Sequence, residues 1–276
     1  MHEPSVFRAL CLVLQVRSDT ERMFNMKRIV IVGACGHMGR VIADIISGRD
    51  DCTVLAGIDK AGGNADFPVY TDLSGLTEKP DVIIDFSHPS ALDDLLSYCL
   101  TNGVPAVIAT TGYSQEQIAQ IHKAAEQIPL FFTFNMSLGI NLLAELSKKA
   151  VAVLGGQFDI EIVEKHHNQK LDAPSGTAIM LADTINAALD KPYTYVYDRH
   201  SVRAKRSKTE IGMHSIRGGT IVGEHEIIFA GRDEVITLKH EAHSKSVFAV
   251  GAVNAAVFLS DRPAGLYAMS DMLADS

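Results

Sequence analysis

RIVIVGACGHMG, residues 28–39, is the stretch of sequence that decides the fold. After Arg28, residues 29–32 are apolar and β-branched, as in a buried strand, and a helical pattern continues to about residue 47. Glycine loops are common, but between a strand and a helix each glycine has a purpose. Gly33 permits a tight turn, Gly36 lets the backbone approach a pyrophosphate, and Gly39 allows close helix–strand packing. The stretch therefore predicts a dinucleotide site, with the phosphates at the helix N-terminus.

An acidic residue ends the second predicted strand, 53–58, about twenty residues after the glycine loop, which is the usual spacing in such sites. This residue, Asp59, is placed to accept hydrogen bonds from ribose hydroxyls. Its neighbour Lys60 is a base that can pair with the 2′-phosphate of NADPH. We predict that NADH is the preferred cofactor and that NADPH is also accepted. The alternative is a helix-capping turn beside an unrelated aspartate.

The pattern of strand and helix continues beyond the second strand. Three more apolar runs, 82–86, 104–109 and 130–134, are separated by helical patterns at 90–101 and 114–127. Buried strands that alternate with helices are typical of a doubly wound parallel sheet, so we predict an α/β Rossmann domain.

Polar residues follow three of these strands, at 86–88, 110–112 and 135–136. Ligands of open parallel sheets bind at the carboxyl ends of the strands, and we expect these residues to line the rest of the dinucleotide. For His88, an ordinary turn or cap is an equally good interpretation.

The pattern changes after Asn135. Helices are predicted at 141–154 and 176–189, and strands at 159–164, 193–197, 211–216, 226–230 and 235–241. Strands without intervening helices indicate an α+β domain with a mixed or antiparallel sheet. A final apolar helix, 247–259, is predicted to return and cover the first domain. We therefore expect a dinucleotide-binding domain of 26–137 with 247–276 and a second domain of 138–246.

Composition restricts the classes of partner. The chain has 276 residues, 47% of them apolar, and a formal net charge of −8, which argues against nucleic acid and anionic membranes as partners. No apolar stretch approaches the roughly 20 residues that span a bilayer. The four cysteines, Cys11, Cys35, Cys52 and Cys99, have no C-x-x-C spacing. They indicate neither a zinc site nor a disulfide framework, and they fit a reducing cytoplasm.

Residues 1–25 need a separate interpretation. The apolar run at 9–14 follows Arg8, as in a signal peptide, but no small-residue cleavage pattern follows and charged residues come next. We expect a disordered or misassigned extension, with Met26 as the natural start.

The most informative stretch is EKHHNQKLDAPSGT, residues 164–177. It places His166, His167 and Lys170 between a strand and a helix. Hydride reduction needs a proton source, and the pKa of histidine lies nearest the working pH. A lysine can donate a proton or bind an acid group. The Pro-Ser-Gly-Thr that follows predicts a helix start whose N–H groups, at Gly176 and Thr177, can bind a carboxylate.

Three other interpretations of this segment were weighed. Zinc binding is disfavoured, because adjacent histidines point in different directions and no further ligand stands at the right spacing, so we predict no metal. A solvated loop with chance histidines is possible if the segment is taken alone. Ser175 as a nucleophile lacks a G-x-S-x-G turn.

Several motifs together resemble the 4-hydroxy-tetrahydrodipicolinate reductase (dihydrodipicolinate reductase) family of bacterial lysine biosynthesis. They are the glycine loop, DFS at 85–87, ATTG at 109–112, NMS at 135–137, residues 164–177 and GEH at 223–225. The resemblance covers essentially all of 26–273, and the His-His segment is its most specific part. It implies a Rossmann domain, completed by the C-terminal helix, and a second domain whose sheet builds a homotetramer.

The resemblance also implies roles for individual residues. His166 would be the general acid/base and Lys170 a proton donor, while His167, Gly176 and Thr177 would bind the substrate. The cofactor would be held by Gly33, Ala34, Cys35, Gly36, His37, Met38, Asp59 and Lys60, and on the nicotinamide side by Ala109, Thr110, Thr111, Thr133, Phe134, Asn135 and Met136. Asp59-Lys60 stands where some members have Glu-Arg, which leaves the preference between NADH and NADPH open. Residues 1–25 have no counterpart in the family.

The activity implied is reduction of a cyclic imine dicarboxylate by NADH or NADPH. One alternative is a dehydrogenase of the same two-domain plan that acts on another amino or hydroxy acid. Another is a nucleotide-sensing regulator, although the chain is acidic and shows no recognition helix.

Overall fold

The computed structural model describes residues 26–275, so the expectations for residues 1–25, Cys11 included, lie outside the described part. The described residues form two compact units, 26–133 with 249–268 and 134–248 with 269–275. The sequence-based limits differ from this division at 134–137, at 247–248 and after Ala268. Helix Met269–Ala274 packs against helix Leu138–Leu154, which explains its place in the second unit.

Seven strands of the first unit's described residues form one parallel sheet. In spatial order they are β12 (Gly265–Tyr267), β6 (Pro129–Phe132), β5 (Ala106–Ile108), β4 (Val82–Asp85), β1 (Lys27–Val32), β2 (Cys52–Ile58) and β3 (Val69–Tyr70). The helices are α1 (His37–Ser47), α2 (Leu92–Asn102) and α3 (Gln115–Ala125), with short 3₁₀ turns at Leu73–Gly75 and Pro89–Ala91. The doubly wound parallel fold predicted from the sequence is confirmed.

The register of the central strands places the loops that follow them at the same edge of the sheet. Val32, the last residue of β1, lies opposite Ile58 of β2 and Asp85 of β4. Gly33, Asp59 and the residues after Asp85 therefore leave the sheet at the same edge. This is the edge at which open parallel sheets bind ligands.

The final apolar helix, α6 (Ser246–Leu259), belongs to the first unit from Ala249 onward. Its small residues are buried, and its Phe258 packs edge-on against Phe131 of β6 with ring centres 6.4 Å apart. The helix therefore packs against the sheet of the first unit.

The second unit contains a five-stranded mixed sheet among its described residues. Its spatial order is β11 (Val235–Ala242), β10 (Gly223–Ala230), β7 (Asp159–His166), β9 (Glu210–Arg217) and β8 (Thr194–Val196). β10 is antiparallel to β7 and β11, whereas β7, β9 and β8 are parallel. The helices are α4 (Leu138–Leu154), α5 (Gly176–Ala187) and α7 (Met269–Ala274), with a 3₁₀ turn at Gly155–Gln157.

The alternation of β7 determines where the chemistry of this unit lies. Every second side chain of the strand is buried, beginning with Ile160 and Ile162, which belong to the core under α4 and α5. Because side chains of a strand alternate between faces, Glu164 and His166 continue this buried row. Two polar groups thus enter a hydrophobic face, where they need partners.

Within residues 26–275, no helix combines the length and the apolar character that crossing a bilayer requires.

Candidate active site

The glycine loop is fixed by steric constraints. Gly33 has φ +81°, and a Cβ there would lie 2.5 Å from the carbonyl oxygen of Phe86. A Cβ on Gly39 would lie 2.2 Å from the carbonyl oxygen of Gly33. Gly36 is the N-cap of α1 and brings no side chain to the helix N-terminus. The loop therefore has the shape and the bare helix end that a pyrophosphate needs.

Asp59 is tied to this loop. Its carboxylate accepts hydrogen bonds from the backbone N–H of Cys35, at 3.0 Å, and of Ala61, at 3.2 Å. A carboxylate has about four acceptor positions, so ribose hydroxyls can still be bound. Asp59 thus joins the loop after β2 to the loop after β1.

A cavity of about 720 Å³ opens at this edge of the first unit, a size typical of small-molecule sites. Gly33, Gly36, Asp59 and Lys60 line it, so half of the eight predicted pyrophosphate and ribose residues meet there. The remaining wall includes Thr71, Asp72, Ser74, Phe86, Ser87, His88, Asp94 and Tyr98. His88 both caps a 3₁₀ turn, through Ser90, and lines the cavity, so its two sequence interpretations are compatible.

The loops after β4 and β5 are joined by a buried acid. Asp85 is 1% exposed and accepts hydrogen bonds from the Ser87 hydroxyl, at 2.5 Å, and from the Tyr113 hydroxyl, at 3.2 Å. The Ser87 N–H also donates to Thr110 Oγ1, at 2.9 Å. Burial raises the pKa of Asp85, and these hydrogen bonds oppose the shift. Of the residues predicted on the nicotinamide side, Ala109 and Thr110 are buried beside this network and Thr111 is exposed.

In the second unit, His166 is the last residue of β7 and is 9% exposed. Its Nδ1 lies 2.6 Å from Oε2 of Glu164. Arg217, at the end of β9, donates to both oxygens of Glu164, at 2.7 and 2.8 Å. The strand predicted to end at 164 therefore continues for two residues, because His166 pairs with Arg217 across the sheet.

Neighbouring charges and burial determine the protonation states of Glu164 and His166. Burial raises the pKa of Glu164, but the hydrogen bonds from Arg217, Ser215, His166 and the Ser175 N–H outweigh burial and lower the pKa to about 2. Burial lowers the pKa of His166, against the opposing effect of Glu164. Near neutral pH the carboxylate is therefore ionised and accepts a hydrogen bond from the Nδ1–H of His166, so the lone pair of the imidazole is on Nε2.

The start of α5 forms the second part of the site. Ser175 is its N-cap and accepts a hydrogen bond from the Ala178 N–H, at 3.1 Å, as the sequence predicted for a helix that begins here. The Ser175 hydroxyl also lies 3.1 Å from Nε2 of His225, a residue of β10 that is 4% exposed. Thr177 accepts a hydrogen bond from the Asn135 side chain, at 3.0 Å. Asn135, predicted on the cofactor side, thus contacts a residue predicted on the substrate side.

Lys170 and Asp172 form an ion pair of 2.8 Å in the loop before α5. The pKa of Asp172 is lowered, mainly by Lys170 and to a smaller extent by the Gly176 N–H. His167 is partly exposed at the start of the same loop. Of the remaining predicted residues, Thr133 is partly exposed, Phe134 is exposed and Met136 is buried.

Arg217 and His225 are members of the site that the sequence patterns do not predict, and those patterns assign no role to Glu164. One signal was present: Glu164 stands in phase with the buried residues of β7, and a buried carboxylate requires a charged partner. Among residues 26–275, no three His, Cys, Asp or Glu side chains are grouped to hold a metal ion.

The buried imidazoles predict a pH dependence of stability. Burial and, to a smaller extent, neighbouring His166 lower the pKa of His225 to about 3. Its ordinary value is about 6.5, so the unfolded chain binds the additional proton. Stability is thus fully present above about pH 6.5 and is lost as the pH falls towards about 3. We expect urea unfolding to show a loss of about 1 kcal/mol between pH 6.5 and 5.5 from this residue.

The variant His225→Gln is expected to reduce this pH dependence, whereas His122→Gln, at an exposed position of α3, is the control. The raised pKa of the buried Asp85 acts in the opposite direction and is common to all three proteins. An unchanged pH dependence in His225→Gln would contradict the assignment.

Comparison with known families covers both units. The model described as dihydrodipicolinate reductase, N-terminus, matches residues 27–136, and the model described as dihydrodipicolinate reductase, C-terminus, matches residues 139–273. A 4-hydroxy-tetrahydrodipicolinate reductase of Caldanaerobacter subterraneus subsp. tengcongensis is 50% identical over 248 residues, which are 90% of this chain and 98% of the relative. One from Exiguobacterium sibiricum is 50% identical over 241 residues, 87% of this chain and 93% of the relative.

A solved structure also resembles most of the chain. It is a dihydrodipicolinate reductase from Paenisporosarcina sp. TG-14 with dipicolinate bound, 27% identical, with a TM-score of 0.73 over 88% of this chain and 97% of that one. A myo-inositol dehydrogenase from Corynebacterium glutamicum, 15% identical with a TM-score of 0.52 over 84% of this chain and 87% of that one, shares the fold alone.

Proposed function

The chain belongs to the dihydrodipicolinate reductase family, and we propose on this premise that it reduces 4-hydroxy-tetrahydrodipicolinate to tetrahydrodipicolinate in lysine and diaminopimelate biosynthesis. The reductant is a nicotinamide nucleotide, which supplies a hydride when it is bound. In the overall change the ring loses one water and gains a hydride at C4 and a proton. The side chains of this protein supply the proton.

The geometry supports the substrate class through one observation. Lys170 already holds a carboxylate, that of Asp172 at 2.8 Å, and the Gly176 N–H acts on the same carboxylate. These are two of the groups that we assign to a substrate carboxylate. A dicarboxylate would be bound by Lys170, His167 and the N–H groups of Gly176 and Thr177 at the start of α5.

His166 is proposed to deliver the proton. In the absence of substrate its lowered pKa keeps the imidazole neutral, with the lone pair on Nε2. A bound dianion raises the proton affinity of a neighbouring imidazole, because opposite charge favours the charged form. His166 would then take up a proton at Nε2 and transfer it to the ring, while Lys170 donates a hydrogen bond or a proton to the reacting part of the substrate.

We propose that the first unit holds the nucleotide. The fit is supported by the cavity beside the glycine loop, where a Cβ on Gly33 or Gly39 would meet backbone atoms. Residues Gly33 to Met38 would hold the pyrophosphate, Asp59 and Lys60 the adenosine ribose, and Ala109 to Thr111 with Thr133 to Met136 the nicotinamide side. The domain limits 26–137 with 247–276 and 138–246 are kept as a proposal for these two roles.

NADH is proposed as the preferred cofactor, with NADPH also accepted. Three carboxylates, of Asp59, Asp72 and Asp94, line the cavity against the single ammonium of Lys60. A 2′-phosphate would meet this excess of negative charge.

Steady-state rates with each nucleotide test both proposals. The substrate is made in the assay by a coupled synthase from aspartate semialdehyde and pyruvate. We expect reductase activity, with a higher kcat/KM for NADH than for NADPH. Lys60→Ala should raise KM for NADPH more than KM for NADH, whereas Lys123→Ala, at an exposed position outside this cavity, should change neither. A preference for NADPH in the unaltered protein would contradict the cofactor assignment, and no activity with either would contradict the function.

We also propose a homotetramer on the basis of the resemblance. The net charge and the cysteine pattern support a cytoplasmic protein with neither nucleic acid nor membrane as a partner. Light scattering should give four times the chain mass of 29.9 kDa.

A further inference from the structure

One ion pair, Glu164 with Arg217, contacts three parts of the proposed substrate site: His166, the loop at Asp172 and the start of α5. The two oxygens of Glu164 accept hydrogen bonds from three separate elements. Oε2 is bonded to Nδ1 of His166, Oε1 to the Ser175 N–H at 3.1 Å, and both oxygens to Arg217. Glu164 is 1% exposed and carries no role in the assignments made above.

We propose that Glu164, clamped by Arg217, is a positioning residue that sets the tautomer of His166 and holds the substrate-binding loop against it. The proposal rests on the proposed function, because it assigns the acid/base role to His166. The tautomer follows from donor and acceptor counts. An ionised carboxylate only accepts, so Nδ1 must carry the proton and Nε2 must be the nitrogen that exchanges protons.

The surroundings of Nε2 support this assignment. A Cβ on Gly223 of β10 would lie 3.2 Å from Nε2, so the glycine leaves open the space beside this nitrogen. The charged and titratable groups around the imidazole are Glu164 on its own strand, Arg217 on β9, His225 on β10 and Lys170 in the loop. Among them, only Glu164 favours the imidazolium. It therefore opposes burial and the positive charges, which together still lower the pKa of His166.

Arg217 also connects Glu164 to the loop that precedes α5. Its Nη2 donates to the carbonyl oxygen of Asp172, at 2.7 Å, as well as to Glu164. Asp172 in turn holds the ammonium of Lys170. The Ser175 N–H, bonded to Glu164, fixes the residue from which α5 begins. His166, Lys170 and the helix start are thus aligned by the same pair of side chains.

Glu164→Gln tests the proposal, with Glu161→Gln as a matched control. Glu161 lies on the same strand and is also bonded to arginines and a histidine, Arg199, Arg206 and His214. It stands on the opposite face of β7 and contacts none of the site residues. The control therefore removes an equivalent charge without touching His166.

We expect Glu164→Gln to lower kcat roughly tenfold or more, as is usual when an orienting partner is lost. The limb of the kcat pH profile that reports His166 should move to lower pH, because a neutral amide no longer stabilises the imidazolium. NADH affinity, measured by calorimetry, should be unchanged. Glu161→Gln should keep both the rate and the profile of the unaltered protein.

A second variant decides the matter if Glu164→Gln does not fold. Arg217→Lys retains the positive charge but cannot form the paired bonds to Glu164 together with the bond to Asp172. We expect a raised KM for the substrate with the pH profile preserved. An unchanged kcat and profile in Glu164→Gln, or an unchanged KM in Arg217→Lys, would overturn the proposal. Absence of activity in the unaltered protein would instead count against the proposed function.

Discussion

His166→Gln is expected to lower kcat by about 10²- to 10⁴-fold, the usual contribution of a general acid or base. Glutamine retains a polar side chain of similar reach but does not titrate. With Nδ1 of His166 bonded to Glu164, Nε2 is the nitrogen available for proton exchange, so no other atom of this residue can take over. Lys170→Ala should also lower kcat by orders of magnitude, because it removes both a proton donor and a cation for the substrate carboxylate.

Nucleotide binding separates this result from a loss of structure. His166 and Lys170 belong to the second unit, whereas the cavity beside the glycine loop belongs to the first. Both variants should therefore bind NADH with nearly the affinity of the unaltered protein in calorimetry.

The chain offers matched controls for both substitutions. His214 is bonded to the carboxylate of Glu161 at 2.7 Å, much as His166 is bonded to Glu164, but it lies on β9 away from the site. Lys165 is adjacent to His166 and is paired with Glu224 at 2.8 Å. His214→Gln and Lys165→Ala should retain normal turnover. The catalytic assignment fails if His166→Gln and Lys170→Ala both turn over normally.

The parts of the site that the sequence could predict are those that local patterns encode. The glycine loop follows a recognisable strand, and Asp59 follows the next one, so the cofactor edge was readable from two short segments. The helix at 176 was readable from Ser175, a residue type that caps helices. In each case the residues that determine the structure are neighbours in sequence.

The parts that sequence analysis missed depend on pairing between distant strands. Arg217 reaches Glu164 because β9 lies beside β7, and His225 reaches Ser175 because β10 lies on the other side. The spatial order of five strands is set by packing under α4 and α5, and no local pattern specifies it. Two short strands, β3 and β12, were missed because their two or three residues do not belong to a longer apolar run that shows periodicity.

Gly39→Ala is expected to weaken NADH binding by about 100-fold. The added methyl group would lie 2.2 Å from the carbonyl oxygen of Gly33 and 2.7 Å from Cα of Ala34, and both are backbone atoms. Overpacking of this kind costs about 1–3 kcal/mol, and each 1.4 kcal/mol of binding energy is a factor of about ten. The loop must move to relieve the clash, and it is the loop that would hold the pyrophosphate.

Alanine substitutions at two further glycines allow NADH affinity to be compared across positions with different amounts of free space. A Cβ on Gly36 would lie 3.2 Å from the Gly33 oxygen, which a small shift relieves, so Gly36→Ala should displace the loop less than Gly39→Ala and weaken NADH binding only through its own methyl group at the helix end. Gly48, at the other end of α1, has φ −91° and its nearest neighbour would be 3.7 Å away. Gly48→Ala should leave NADH affinity unchanged. Calorimetric titration of NADH against the three variants gives the order directly.

Thermal unfolding of the same variants distinguishes a loss of NADH affinity from a loss of folded protein. If Gly39→Ala weakened NADH binding only because the first unit unfolds, thermal unfolding would show a large loss of folded protein at the temperature of the titration. A folded Gly39→Ala protein that binds NADH as tightly as Gly48→Ala would mean that the nucleotide does not lie on this loop. The assignment of Gly33 to Met38 would then be wrong, because no pyrophosphate could remain in place while the backbone beneath it was displaced.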